Sequence, residues 1–566
     1  MVSLIWVAVL FGFAAWWMLV YALDKAGVLS RYNVSAYGPL IMWRTYRGQG
    51  LLDALASPKT FWKAIITLCI PLVFVSMALM LIMIVTTVAF TMVKTPAPGP
   101  VYAPQNILAI PGVNEFIPFV WGWIALVVAM LVHEFGHAIM AKAENIKVKS
   151  LGVMLLPIPV GAFAEIDEEE MFGTKAQSKT AEILGPMDTK MAGTGSRKAS
   201  SMALIRILSA GVIANFLVGF IAFALLFGPV LGAVAASNSE LIVVKAAPGS
   251  PAYDAGMQKN MIIRSVDGKS FATEDELNGY IKSRAGASVT ITGVQGKEPV
   301  SYTVPVGDTR GIYILDSNAG EPAQQAGIVA NTRILGINGT PLNTYAEYSA
   351  FMANTTPGQV VTVDILDSAG SPRTVTATLD SGLEPKGYLG FKRIDISDNP
   401  LGIAVGNFDA QGHLAMLQGM MAPSGDTLGA KALSVLGGLF LVWVLPVWEI
   451  LYGITGFNIF DSDLANLYHP VGWAAPLGDG IFYLVLSLFW IGWLNLNVGV
   501  FNCLPMIPLD GGHIFREVAN LFVGRFVKDA ARVEQLSKAI VNWFAIILFS
   551  SLVFVIVAPY IVHSLI

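Results

Sequence analysis

The sequence predicts a polytopic α-helical membrane protein with two small α+β domains inserted between its helices. The mean hydropathy is +0.62, and charged residues make up only 13% of the 566 residues. Both values lie outside the usual range of water-soluble domains. Several apolar runs are long enough to cross a bilayer, whereas the polar middle of the chain carries an internal repeat typical of separate domains.

Six apolar runs predict membrane spans, namely residues 3–23, 65–93, 116–141, 203–234, 481–500 and 541–566. The first run is too long for a signal peptide and lacks a basic start and a cleavage site, so we expect it to be retained. A further apolar segment, 432–451, contains Trp443, Pro446 and Glu449. These residues favour an interfacial or re-entrant segment over a full crossing.

Basic residues indicate which loops face the cytoplasm. The loop 24–63 contains six of them, whereas 96–118 contains no Lys or Arg. The positive-inside rule therefore places the first loop in the cytoplasm and the polar region 235–400 outside. A net charge of -4 gives no basic surface for nucleic acid, which we exclude as a partner. The lipid bilayer and other proteins remain.

The run 116–141 contains the sequence His-Glu-Phe-Gly-His at residues 133–137. On a helix, residues four apart share a face, so His133 and His137 can bind one Zn²⁺ with Glu134 beside it as a general base. Ionisable groups at membrane depth are costly and usually functional. A chance match is the alternative, but the chain has only 6 His, which makes it improbable.

A third zinc ligand must come from His, Asp or Glu, because the only cysteines are Cys69 and Cys503. Residues 502–513 form a polar, Pro- and Gly-rich break in an apolar helix. Such a break persists at membrane depth only inside protein or along a cavity. Asp510 is the natural third ligand, and the fourth position stays open as in catalytic zinc sites. Two alternatives remain: His513 as ligand, or Asp510 as a helix cap only.

The polar region contains two copies of one pattern about 71 residues apart. Ser-Pro-Ala-Tyr-Asp-Ala-Gly-Met at 250–257 recurs as Glu-Pro-Ala-Gln-Gln-Ala-Gly-Ile at 321–328. The pattern resembles PDZ domains of membrane and periplasmic proteases, which bind peptide termini by adding a strand to a sheet edge. The alternative is that both copies act only as spacers or size filters.

The two motifs with PDZ-like repeats between them resemble the site-2 protease family of intramembrane zinc metalloproteases. The resemblance implies a zinc metalloendopeptidase that cuts transmembrane segments of single-span substrate proteins, in regulated intramembrane proteolysis. It implies that His133, His137 and Asp510 bind Zn²⁺ and that Glu134 is the catalytic acid/base. It also implies that Asn502 stabilises the oxyanion or positions substrate.

Two further stretches resemble the family. Residues 151–164 resemble a membrane re-entrant β-hairpin that holds substrate in extended form, with Gly161, Ala162 and Phe163 as substrate-binding residues. Residues 209–215 resemble an A-G-P-x-x-N motif in which Val212 replaces Pro. We expect Gly211 and Asn215 to provide close helix packing and one interhelical hydrogen bond.

The expected organisation has six parts: an N-terminal membrane region with two spans (1–115), the first half of a site-2-protease-like core (116–235), PDZ-like domains (236–308 and 309–384), a linker with the re-entrant or interfacial segment (385–478) and the second half of the core (479–566). The active site is expected toward the cytoplasm and the PDZ-like domains outside. Two other functions compete: a membrane zinc protease of another fold that cuts soluble or misfolded chains, with a Glu as third ligand, and a non-catalytic PDZ-bearing scaffold.

Overall fold

The computed structural model describes residues 4–565 apart from 46–48, 97, 107–108, 157, 173–198, 248–249, 307–310, 318–319, 331, 343–344, 368–370, 382–385, 394–399 and 453–455. The chain forms two compact units. Unit 1 comprises Met1–Gly228, Leu439–Ile454 and Ser487–Ile566, and unit 2 comprises Pro229–Gly438 and Thr455–Leu486.

The described α-helices are α1 (Leu4–Lys25), α2 (Gln49–Ala56), α3 (Lys59–Val93), α4 (Phe119–Ala143), α5 (Glu168–Phe172), α6 (Ser201–Leu225), α7 (Pro251–Asp254), α8 (Glu274–Ser283), α9 (Pro322–Gln325), α10 (Tyr345–Met352), α11 (Ala410–Gly419), α12 (Leu428–Tyr452), α13 (Gly480–Asn502), α14 (Asp510–Val523) and α15 (Ala530–Leu565). Short 3₁₀ turns at Phe457–Asp461, Asp463–Leu467 and Gly472–Leu477 lie between α12 and α13.

The described strands are β1 (Val34–Tyr37), β2 (Leu40–Thr45), β3 (Val148–Leu156), β4 (Ile158–Ile166), β5 (Val234–Ala236), β6 (Glu240–Ala246), β7 (Ile262–Val266), β8 (Ser288–Gln295), β9 (Glu298–Pro305), β10 (Ile312–Ser317), β11 (Arg333–Ile337), β12 (Thr340–Pro341), β13 (Val360–Leu366), β14 (Pro372–Thr378), β15 (Asp380–Ser381), β16 (Gly387–Tyr388), β17 (Phe391–Arg393), β18 (Ile403–Phe408) and β19 (Tyr468–Pro470).

Each of the six predicted spans forms a helix, as α1, α3, α4, α6, α13 and α15. Within the described part of the chain, six helices are long and apolar enough to cross a membrane; they include α12 but not α1. The protein is therefore an integral, multi-pass membrane protein. In unit 1, glycine and alanine along α6 allow α4 and α13 to pack closely against it.

Unit 1 also contains a four-stranded antiparallel sheet in the order β1-β2-β3-β4. Strands β3 and β4 form the hairpin predicted from residues 151–164, whose residue 157 lies outside the described residues. Strands β1 and β2, whose hairpin pairs with β3, are not predicted from the sequence. Strand β4 therefore lies at one edge of this sheet.

Unit 2 contains two β-rich subdomains with separate hydrophobic cores. The first has the strand order β18-β6-β7-β8-β9, with α8 adding Leu277 and Ile281 to its core. The second has the order β14-β13-β11-β10-β17, with α10 adding Tyr348 and Met352 to its core. The amphipathic strands alternate buried and exposed residues, as expected for sheets covered on one face.

Strand β18 lies in the segment 385–478, which the sequence analysis describes as a linker. It pairs with β6 from Ile403↔Ala246 to Phe408↔Glu240 and completes the first sheet. The second subdomain is thus inserted into the first between β9 and β18. The segment 432–451 forms the middle of α12, which continues through Pro446 as one helix.

Candidate metal centre

Two histidines lie one turn apart on α4 and turn their imidazole rings toward each other. The Nε2 atoms of His133 and His137 are 3.1 Å apart, and each residue is only 8% exposed. This confirms that the i, i+4 spacing places both rings on one helix face.

The backbone of α6 orients His137. Its Nδ1 lies 2.7 Å from the carbonyl oxygen of Ile207. A carbonyl only accepts, so Nδ1 carries the proton and Nε2 presents a lone pair. Gly211 lies one turn further along α6, where a Cβ atom would come within 2.5 Å of Nε2. A side chain at position 211 would therefore displace the ring.

The carboxylate that joins the two imidazoles is Asp510. Helix α13 ends at Asn502, and the prolines at 505 and 508 prevent it from continuing, so a new helix begins at Asp510. The Oδ2 atom of Asp510 lies 3.0 Å from Nε2 of His133 and 3.3 Å from Nε2 of His137. The three side chains converge as the sequence predicts.

The donor set fits a zinc ion. Tetrahedral Zn²⁺ with ligand bonds of 2.0–2.1 Å separates its ligand atoms by roughly 3.3 Å, close to the three distances observed. Among the described residues, the buried Oδ2 of Asp510 has no hydrogen-bond partner, and it faces the Nε2 atoms of both histidines. Facing lone pairs in a buried site need a cation between them.

Glu134 points from α4 toward the four-stranded sheet β1-β2-β3-β4, which we call the membrane sheet. Its Oε2 accepts a hydrogen bond of 2.9 Å from the backbone N–H of Ala164 in β4. The residue is half-buried beside His133. The carboxylate therefore lies between the metal ligands and a sheet edge, as a proton acceptor for a reaction at that edge requires.

The remaining predicted residues lie in two places. Gly161, Ala162 and Phe163 are consecutive residues of β4. Asn502 is the half-buried last residue of α13. Among the described residues, the metal-ligating group comprises His133, His137 and Asp510 and does not include His513, which follows on α14.

The expectation for Gly211 and Asn215 is right in part. Gly211 provides close packing, as described above. Asn215 is 0% exposed, but neither its Nδ2 nor its Oδ1 has a hydrogen-bond partner among the described residues. The expected interhelical hydrogen bond is therefore wrong in this structure.

Two groups of the site that the sequence analysis missed belong to the backbone, namely the carbonyl of Ile207 and the amide of Ala164. Every residue carries such groups, so no residue type marks them. Only the packing of α4 against α6 and β4 identifies them.

Comparison with known proteins gives one family model, described as peptidase family M50, which matches residues 121–548. Among curated relatives, Protease RseP of Yersinia pestis is 24% identical over 443 residues, covering 69% of this chain and 88% of the relative. Regulator of sigma-E protease RseP of Escherichia coli is 23% identical, covering 70% and 90%. A putative zinc metalloprotease of Vibrio cholerae is also 23% identical, covering 70% and 89%.

Proposed function

This chain belongs to peptidase family M50 and is an intramembrane zinc metalloprotease; from that premise we propose that it cleaves transmembrane segments of single-span proteins at the site built from His133, His137, Asp510 and Glu134. The observation that carries the proposal is the convergence of Asp510 with both imidazoles at 3.0 and 3.3 Å. Two helices distant in sequence, the apolar α4 and α14, together form this donor set.

His133, His137 and Asp510 would hold the ion and leave its fourth position open. When bound, zinc supplies a Lewis acid that polarises a peptide carbonyl and makes water more acidic. Glu134 would take the proton of that water and return it to the leaving amine. The hydrogen bond from Ala164 leaves the other carboxylate oxygen of Glu134 for this transfer.

We propose that substrate binds in extended form along the edge of β4, contacting Gly161, Ala162 and Phe163. A helical peptide has its carbonyls engaged, so a transmembrane helix must unwind before hydrolysis. An edge strand offers unpaired backbone groups to an added strand. The Ala164 amide that contacts Glu134 supports this position, because a strand added there lies next to the proton acceptor. Asn502 would stabilise the oxyanion or position the substrate.

We propose that the two subdomains of unit 2 are PDZ-like domains that read or filter substrates outside the membrane. Each has an edge strand, β18 or β17, preceded by a Leu-Gly pair at 401–402 or 389–390. Both glycines have positive φ, +74° and +77°. In each copy the Leu carbonyl accepts from the Ala of the repeated Pro-Ala, Ala252 or Ala323.

We propose that the metal centre lies toward the cytoplasm. Basic residues gather at the C-terminal end of α4, where Lys63 and Arg206 pair with Glu144 at 3.0 and 2.6 Å. Helix α12 is long enough to cross a membrane, but the segments before and after it contact the same strand. The flanking α11 and β19 both pack against β5. This supports an interfacial or re-entrant path, with unit 2 outside.

The test is cleavage of a purified single-span protein in proteoliposomes, with zinc measured on the same sample. We expect cleavage within the transmembrane segment and about one zinc per chain. A protease of another fold, acting on soluble chains, would instead degrade an unfolded soluble protein and leave the membrane segment intact. A scaffold would cleave neither substrate.

A further inference from the structure

The family match begins at residue 121, yet the chain before it contributes to the site. We call residues 4–118 the N-terminal extension. Its hairpin β1–β2 joins the membrane sheet, and β2 pairs with β3 from Ile41↔Leu155 to Thr45↔Leu151. The extension thus covers the β3 edge, while β4 stays at the other edge of this sheet.

One side chain of the extension reaches across the sheet. The Nη1 of Arg44 donates to Oγ of Ser35 at 2.7 Å, and its Nε lies 3.7 Å from Oε2 of Glu165 on β4. Ser150 on β3, which is fully buried, donates to the same Oε2 at 2.5 Å. These contacts connect all four strands on one face.

Gly152 of β3 lies between Arg44 and β4 in the register of the sheet. Gly152 pairs with Arg44 on one side and with Phe163 on the other. A Cβ atom there would lie 2.2 Å from the Phe163 ring and 2.6 Å from the Trp43 carbonyl oxygen. The missing side chain leaves room for the Phe163 ring and lets β2 and β3 lie close together.

Glu165 directly follows Ala164, whose amide holds Glu134 at 2.9 Å. Successive residues of a strand point to opposite faces. Contacts that hold Glu165 from one face of β4 therefore also hold the neighbouring Ala164 amide, which meets Glu134 at the strand edge. Arg44 and Glu165 are both partly shielded from solvent, with side-chain exposures of 29% and 22%, so their attraction is less screened than that of a surface pair.

The extension also holds the helix that carries Glu134. Asp53 on α2 pairs with Lys142 at 2.8 Å, and Lys63 on α3 pairs with Glu144 at 3.0 Å. Both contacts lie at the C-terminal end of α4. The extension thus contacts both elements whose separation sets the Glu134–Ala164 distance.

We propose that Arg44 is a positioning residue for the protease reaction: through Glu165 it sets the β4 edge against Glu134, so the N-terminal extension is part of the catalytic assembly. The inference rests on the proposed function, because β4 is where substrate would bind. It gives the extension a role that the family match does not cover. Arg44 acts through Glu165 and Ala164 and does not touch the reacting atoms.

The experiment measures kcat and KM of the full chain on a single-span substrate in proteoliposomes. We expect Arg44→Ala and Glu165→Gln each to lower kcat by about tenfold, because small misplacements of catalytic groups cost one to two orders of magnitude. KM should change by less than about twofold, and bound zinc should stay at wild-type stoichiometry. The double variant should be no slower than the slower single variant, because both changes break one interaction.

Two variants separate positioning from general support. The charge exchange Arg44→Glu with Glu165→Arg should recover most of the lost kcat. Lys25→Ala, which removes an exposed cation of the extension beside the Tyr21 ring on α1, should keep kcat within about twofold of wild type. Wild-type kcat in Arg44→Ala, or no recovery in the charge exchange, would overturn the proposal. If wild type itself does not cleave, the proposed function fails instead. If Arg44→Ala does not fold, Arg44→Lys and the charge exchange decide.

Discussion

The carboxylate of Glu134 and the backbone amide of Ala164 lie 2.9 Å apart, joining the motif helix α4 to the edge strand of the membrane sheet. This contact places the proton acceptor beside the strand where we propose that substrate binds. Metal ligands, general base and strand edge thereby lie within one compact unit.

Replacing Ala164 by Pro removes the N–H that holds Glu134. Proline is tolerated at edge strands, so the sheet should persist. A hydrogen bond to a charged group contributes about 1.5–3 kcal/mol, so we expect kcat to fall roughly tenfold or more. Ala164→Ser keeps the N–H and serves as control. Equal kcat in the Pro and Ser variants would show that the amide does not hold Glu134.

Replacing Asp510 by Ala should remove zinc. The change leaves two imidazoles as the only side-chain ligands, fewer than the three that catalytic zinc sites use. We expect zinc per chain to fall from about one to nearly zero by elemental analysis after dialysis. His513→Ala is the matched variant, because His513 lies outside the metal-ligating group. Zinc lost from His513→Ala and kept by Asp510→Ala would reverse the ligand assignment.

Replacing Gly211 by Ala should disturb His137 without changing any ligand. The added Cβ would lie 2.5 Å from Nε2, a distance at which the ring must move. We expect zinc affinity to drop by at least about tenfold, within the range found when the support of a ligand is lost. Gly219→Ala on the same helix meets the Leu496 side chain at 3.2 Å and the Gly492 carbonyl oxygen at 3.3 Å, and controls for helix packing. Equal losses in both variants would contradict a local effect on His137.

Acid pH should destabilise the first subdomain of unit 2, because it protonates the Asp267 carboxylate. This carboxylate accepts from the Thr290 amide and from the Tyr280 hydroxyl, and these bonds, with Arg284 nearby, hold the pKa of Asp267 below its usual value. The stabilisation is therefore present above an unfolded pKa of about 3.9 and is lost as the pH falls through the lower folded pKa.

Hydrogen exchange of residues 262–295 in the full chain measures this effect. Wild type should lose protection at acid pH. Asp267→Asn, which keeps a side chain suited to the positive φ of 49°, should be less protected at neutral pH and less sensitive to acid. The same acid sensitivity in both proteins would contradict the role of Asp267.

Much of the metal centre could be predicted from the sequence, because its side chains are chemically distinctive. His133 and His137 follow helical spacing, and Asp510 stands in a polar break where few other residues ligate metal. The contacts to Ile207 and Ala164 could not be predicted, because backbone groups leave no signal in residue type. Asn215 shows the opposite failure: a polar residue at the right spacing found no partner among the described residues.

The fold was harder to predict where pairing is long-range. Strand β18 is only six residues long and pairs with β6, more than 150 residues earlier. Its short apolar run does not reveal that partner. The hairpin β1–β2 lies among basic loop residues. Helices α3 and α4 separate it from β3 in the sequence, so its pairing with β3 depends on how these helices pack. Helical spans need no distant partner, so each predicted span forms a helix.

The most direct test of the central claim compares wild type with Glu134→Gln on a single-span substrate in proteoliposomes. The substitution keeps the size of the side chain but removes its ability to take a proton. We predict cleavage within the transmembrane segment by wild type, none by Glu134→Gln, and about one zinc per chain in both. Cleavage by zinc-loaded Glu134→Gln at the wild-type rate would contradict the account.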